Sequence, residues 1–183
     1  MLLRRNIALA AGALVLAAPL LSSCGFNYAT DRVNTISAGV SNRDKTVDVL
    51  GAVIVASRPD SGTFIATLSN NSPTDAASLT DVAGADGTTV TADAFGPIEI
   101  PAKGVVNLAT EGGIRLTGSF DAGNFVAVTV GFDNGEAVVM EIPVVLACGQ
   151  YEGLDDAPTT APADGAEPAP EYSCDEPSSG GEE

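Results

Sequence analysis

The sequence predicts an all-β domain, an antiparallel β-sandwich followed by a disordered, acidic C-terminal tail. Three observations lead there. Short apolar runs rich in Val, Ile and Thr recur at roughly 8–12-residue spacing, the rhythm of a sandwich. Between them stand clusters of Gly, Pro, Asn and Asp; the chain holds 20 Gly and 11 Pro, residues that favour turns over helices. No segment beyond the N-terminal region has the apolar period of a credible helix.

Residues 1–23 read as a signal peptide, outside the fold. Arg4 and Arg5 form a positive n-region, and Ile7 to Leu21 is an apolar run of 15 residues. A bilayer span needs about 20. Leu21-Ser22-Ser23-Cys24 closes the run with small residues before a cysteine. This boundary resembles the lipobox of bacterial lipoproteins, where the cysteine takes a diacylglyceryl group and becomes the first mature residue. The resemblance makes Cys24 the lipid anchor, carrying acyl chains such as palmitate, at the extracytoplasmic face of the cell membrane. Each buried methylene contributes roughly 0.8 kcal/mol, so two or three chains anchor durably. Residues 24–44 are rich in Asn, Ser and Gly and read as a tether between lipid and domain.

The β pattern occupies residues 45–148. Val47 to Ala56 is nearly continuous and β-branched, suiting a strand buried on both sides. Thr63 to Ser69 alternates, with Phe64, Ala66 and Leu68 on one face, and Asn70 to Pro73 stops it. Strands follow near Ala77 to Val82 and, past the Gly84 to Gly87 turn, at Thr88 to Thr91. Ile98 to Ile100 leads into Pro101-Ala102-Lys103-Gly104, read as a type I turn. Val105 to Leu108 and Ile114 to Thr117 flank Gly112-Gly113. The last pair gives the strongest local signal. Phe125 to Phe132 sets Val126, Val128, Val130 and Phe132 on one face, and Asp133-Asn134-Gly135 supplies a hairpin turn. Glu136 to Val145 then sets Val138, Met140, Ile142 and Val144 on one face. That makes roughly eight strands around an aliphatic core.

Residues 149–183 hold five prolines and ten acidic residues with few apolar side chains, so the tail is expected to be disordered. Tyr151 and Tyr172 read as incidental there. With Cys24 in a thioether, Cys148 and Cys174 remain, and an oxidising compartment favours a disulfide between them. Closing such a loop stabilises by about 3 kcal/mol in the chain-entropy account. The alternative is two free thiols, a poor metal site without further soft ligands. A polar loop has little core to lose, so truncation after Gly149 with Cys148→Ser is expected to leave a folding domain.

Composition removes whole classes of function. No histidine occurs anywhere, which excludes His-based acid–base chemistry, Ser-His-Asp systems and imidazole metal sites. Removal of residues 1–23 takes two arginines with it, leaving 6 basic against 24 acidic groups, net −18. Phosphate binding needs clustered Lys and Arg, so nucleic acid is excluded as a partner. Asp81, Asp86 and Asp93 do not form a calcium-loop pattern and read as solvated carboxylates. Gly112-Gly113 lacks the helix and lysine of a phosphate loop. No catalytic residue, metal ligand or cofactor is assigned.

Three segments in order resemble the periplasmic copper chaperones of the PCuAC family: Gly62 to Gly84, Ile98 to Leu108, and Val128 to Val144. The resemblance spans about residues 47–145, and the actinobacterial lipoproteins of LpqE type look closest. It implies an Ig/cupredoxin-like β-sandwich, and in the chaperones Cu(I) held by two His and two Met. The family's His-x-Met stretch falls near Arg115-Leu116-Thr117 and its first His near Val90 to Asp93. Neither stretch has a His or Met here; Met140 sits in a core strand and Met1 leaves with the signal. The resulting expectation is a monomeric, non-enzymatic binding or accessory module of the cell envelope, with an unknown envelope protein or ligand as partner. Its alternative is metal, chiefly copper, trafficking through a non-family site using carboxylates, the tail, or Cys148 and Cys174 when reduced.

Overall fold

The computed structural model describes residues 38–155 and 171–174. The expected signal peptide, the expected anchor Cys24, most of the expected tether and most of the expected tail lie outside the described residues. Ten strands form: β1 (Val40–Asn42), β2 (Val47–Arg58), β3 (Ser61–Asn70), β4 (Ala77–Gly84), β5 (Thr91–Ala92), β6 (Ile98–Ile100), β7 (Val105–Asn107), β8 (Ile114–Thr117), β9 (Phe125–Phe132) and β10 (Ala137–Leu146). The all-β expectation holds. The predicted Thr88 to Thr91 strand shrinks to β5, because the Thr88 amide turns back to donate to the Ala85 carbonyl (3.0 Å).

The hydrogen-bonded path runs β2-β10-β9-β4-β5-β8-β3, and β3 pairs with β2 again. Seven strands therefore close a ring, where the sequence suggested a sandwich with all neighbours antiparallel. Six neighbour pairs in the ring are antiparallel, and the seventh, β10 with β2, is parallel: Val144, Val145 and Leu146 lie beside Ile54, Val55 and Ala56. An odd ring cannot alternate direction all the way round, so one parallel pair is obligatory. Closure leaves fewer bare edges for another chain to pair with.

Strand β2 shows how the sequence controls packing. Val47 and Val49 face the main core, but farther along it is Ala52, Ile54 and Ala56 that do. The parity flips because an extra residue is inserted between Leu50 and Val53, where the β2–β3 register shifts. Gly51 takes φ +60 at this bulge, a conformation that glycine adopts without steric cost. A Cβ on Gly39 would come within 2.5 Å of the Gly51 carbonyl, so glycine there lets β1 lie against the bulge. The expected tether therefore ends before Val40, since β1 pairs with β2.

Phe64, Leu68, Leu79, Ile100, Leu108, Leu116 and Ile142 are fully buried in the main core. Each such side chain contributes roughly 1.5–3 kcal/mol on leaving water. The predicted inward faces of β3, β9 and β10 are the observed ones. The β9–β10 hairpin has a three-residue loop: Gly135, at φ +81, donates to the Phe132 carbonyl (3.1 Å), and Phe132 donates to the Glu136 carbonyl (2.9 Å). This is the type I turn plus glycine bulge expected of such loops. Glu136 clasps the start of β2, accepting from the Thr46 amide and hydroxyl at 3.1 Å each. Desolvation acts upward on its carboxyl, but hydrogen bonds from Asn134 and Thr46, with Lys45 nearby, carry it below its ordinary value.

One turn differs from its prediction. Gly104 donates to the Pro101 carbonyl (2.8 Å), while Lys103 stands at φ 55. A positive φ at the third position makes this a type II turn, not type I. Lys103 is held there by donation from its amide to the Ser72 carbonyl (3.0 Å).

Candidate functional site

Two places merit a functional reading: the β5–β8 junction and the C-terminal end of the barrel. At the first, pairing sets Thr91 opposite Thr117 and Ala92 opposite Leu116. The Asp93 amide donates to the Arg115 carbonyl (2.9 Å), and the Thr91 and Thr117 hydroxyls lie 3.3 Å apart. The two stretches that the sequence resemblance assigned to copper ligands are thus brought together. Their polar side chains are hydroxyls, a carboxylate and a guanidinium, none of which is a soft donor for Cu(I). Thr80, Asp81, Thr91, Asp93 and Phe95 line an open cleft of about 320 Å³ beside them. Met140 is 7% exposed and packed in the main core. Among the described residues no three His, Cys, Asp or Glu side chains group to hold a metal ion.

The second place involves residues that were expected to be tail. After β10 the Ala147 amide donates to the Ala56 carbonyl (3.0 Å), and Gly149–Tyr151 forms a single 3₁₀ turn. Tyr151 and Leu154 then pack on Val53, Val55 and Ile65, a small apolar cluster outside the main core. This explains why β2 is buried on both faces. Asp155 ends the stretch as a buried carboxylate. One oxygen accepts from the Ser57 amide (2.8 Å) and hydroxyl (2.7 Å), the other from the Thr63 hydroxyl (2.8 Å). Arg115 stands 4.0 Å from that second oxygen and also reaches Ser61 at 3.4 Å. Arg115, Thr63, Gly112, Gly113 and Gly153 line a cavity of about 190 Å³ next to the pair. The disordered tail expected from Gly149 is therefore corrected over residues 149–155. Buried hydrogen bonds and apolar cover offset the ordering entropy there.

Residues 171–174 return to the same strand end. Cys148 and Cys174 are joined as a disulfide, with Cα atoms 5.6 Å apart across 26 residues. The Tyr172 amide donates to the Ser57 carbonyl (2.8 Å). Its hydroxyl donates to Asp121 (3.0 Å) and accepts from the Ala122 amide (3.1 Å). Its ring packs against the main core. Desolvation, then hydrogen bonding to Asp121 and the Asp121 and Asp60 charges, raise the Tyr172 hydroxyl above its ordinary value against the opposing Ala122 bond. Tyr172 is thus a docked side chain and not incidental. Ala122, Gly123, Val144, Val145, Leu146 and Tyr151 lie around it in an open, mainly apolar groove of about 560 Å³.

Sequence reasoning missed Asp155, Ser57 and Thr63 as a set. The available signal was Tyr151 and Leu154, two large apolar residues at the start of an otherwise polar tail, directly before Asp155.

No protein-family model matches the chain, and no curated protein matches it. Solved structures to which it is similar include the apo PCuAC domain from PmoF1, at 17% identity and TM-score 0.49, over 58% of this chain and 99% of that one. The copper-bound PCuAC domain from PmoF2 is similar at 16% identity and TM-score 0.48, over 58% and 98%. The apo PmoF2 PCuAC domain is similar at 14% identity and TM-score 0.48, over 60% and 98%. Identities this low say nothing about ligands.

Proposed function

We propose that the chain is a lipid-anchored, extracytoplasmic β-domain that acts as a non-enzymatic binding or accessory module of the cell envelope. Cys24 holds it to the membrane, and the Cys148–Cys174 bridge suits an oxidising compartment. The observation that carries the reading is the composition of the β5–β8 junction. There Thr91, Asp93, Arg115 and Thr117 stand together, and they do not fit a Cu(I) cargo. The reading leaves the domain's surface, presented on a tether, as the part that acts.

The test is a titration of the domain with Cu(I), Cu(II) and Zn²⁺ in oxidised and reduced forms. The expected result is no binding tighter than about micromolar in either form. Tight stoichiometric binding would replace this reading with metal trafficking through a non-family site. For the anchor, Cys24→Ala is expected to leave unprocessed precursor or to shed the protein from membranes. A processed Cys24→Ala protein that still partitions into detergent would overturn the lipid anchor.

A further inference from the structure

Ser57, near the end of β2, is held from two sides by two separate pieces of the C-terminal region. Asp155 takes its amide and hydroxyl hydrogens, while the Tyr172 amide donates to its carbonyl. The two pieces are fastened differently. Asp155 is buried, lies beside Arg115, and follows the apolar cover of Tyr151 and Leu154. Glu171–Cys174 is mostly exposed: only Tyr172 is half-buried, and Cys174 is open to solvent. The stretch has no cation, and Tyr172 docks beside the Asp121 carboxylate. Its covalent attachment is the disulfide to Cys148.

We propose that Glu171–Cys174 is a redox-released strap. The Cys148–Cys174 bridge holds Tyr172 over the groove at the end of β10, and reduction frees it while Asp155 keeps residues 148–155 in place. The reductant is a dithiol. One of its thiolates attacks the exposed Cys174 sulfur, and the Cys148 sulfur leaves and takes a proton. The second thiol then attacks the mixed disulfide, releasing Cys174 as a thiol, and the dithiol is oxidised to its own disulfide. Two electrons and two protons pass to the protein. Release strips Tyr172 from the side of Val144 and Gly123 and uncovers apolar floor. This device goes beyond the binding-module reading and does not depend on it.

Three amides report on it separately. Ala122 and Tyr172 donate within the strap contact, whereas Ser57 donates to Asp155. Hydrogen exchange is measured on the full chain, oxidised and after dithiothreitol. The expected result is exchange about tenfold faster or more at Ala122 and Tyr172, with Ser57 and the β9–β10 ladder unchanged. Cys174→Ser should reproduce the reduced pattern without reductant, and reoxidation of the wild-type chain should restore protection. Unchanged protection at Ala122 and Tyr172 would show that the strap holds without its bridge and overturn the proposal. Loss of protection at Ser57 and across the ladder would also overturn it, because the bridge would then support the whole domain.

Discussion

Asp155 has a side chain fully shielded from solvent, with both carboxylate oxygens occupied by Ser57 and Thr63. A buried charge is tolerated only when its hydrogen-bonding capacity is met, and here three donors and a guanidinium meet it. Asp155→Ala would leave the Ser57 amide and the Ser57 and Thr63 hydroxyls without their acceptor. Arg115 would lose its nearby carboxylate. The expected cost is about 3 kcal/mol, read as a lower urea midpoint at unchanged slope. A variant as stable as the parent would show that Asp155 is not the pin. Thr63 illustrates why such a partnership is hard to read in advance. It sits in an alternating strand with Phe64 inward, so its outward side chain reads as solvent-facing until the C-terminal segment covers it.

At the scale of elements, the bulge in β2 decides which residues of the longest strand enter the core. Were the strand to run through Gly51 with regular alternation and no bulge, Ala52, Ile54 and Ala56 would turn outward. Gly51→Ala meets no atom within 4 Å, so any cost comes from forcing an L-residue to φ +60. The expected destabilisation is about 1 kcal/mol, measured by thermal unfolding. A neutral result would mean that the bulge can relocate or that its φ is not maintained. The β9–β10 hairpin lies at the other extreme. Its alternation, its Asp133-Asn134-Gly135 loop and its inward faces are all local properties, and all were legible before the structure.

For the whole molecule, the question is what the C-terminal region contributes to the barrel. The sequence suggested that truncation after Gly149 would cost at most the loop-closure term. The structure argues against that expectation, because the same cut also removes Tyr151, Leu154 and Asp155. Val53, Val55 and Ile65 then lose cover that the apolar cluster shows to be theirs. Truncation after Gly149 with Cys148→Ser is expected to lower stability by about 5 kcal/mol, combining lost burial, the Asp155 bonds and the bridge. For a domain of this size that shifts the unfolding midpoint by about 20 °C or more. A truncated domain melting within a few degrees of the parent would show that the segment is an accessory to a self-sufficient barrel. The seam it reinforces is the parallel β2–β10 pair, which joins by only three residue pairs.

What the sequence determined by itself is what depends on neighbours a few residues away: strand periodicity, turn chemistry, the core-facing residues of β3, β9 and β10, and the absence of histidine. It also excluded a His/Met copper site by composition, before any geometry was known. Tertiary structure alone decided how these pieces close. Seven strands form a ring only because β2, besides its hairpin partner β3, also pairs with β10, a strand far along the chain that no local pattern names as its partner. The same holds for the meeting of Thr91 with Thr117 and for Ser57 held between Asp155 and Tyr172. A polar side chain reads as solvated until its distant partner is known, since hydrogen bonding and burial are set by what the rest of the chain brings to it.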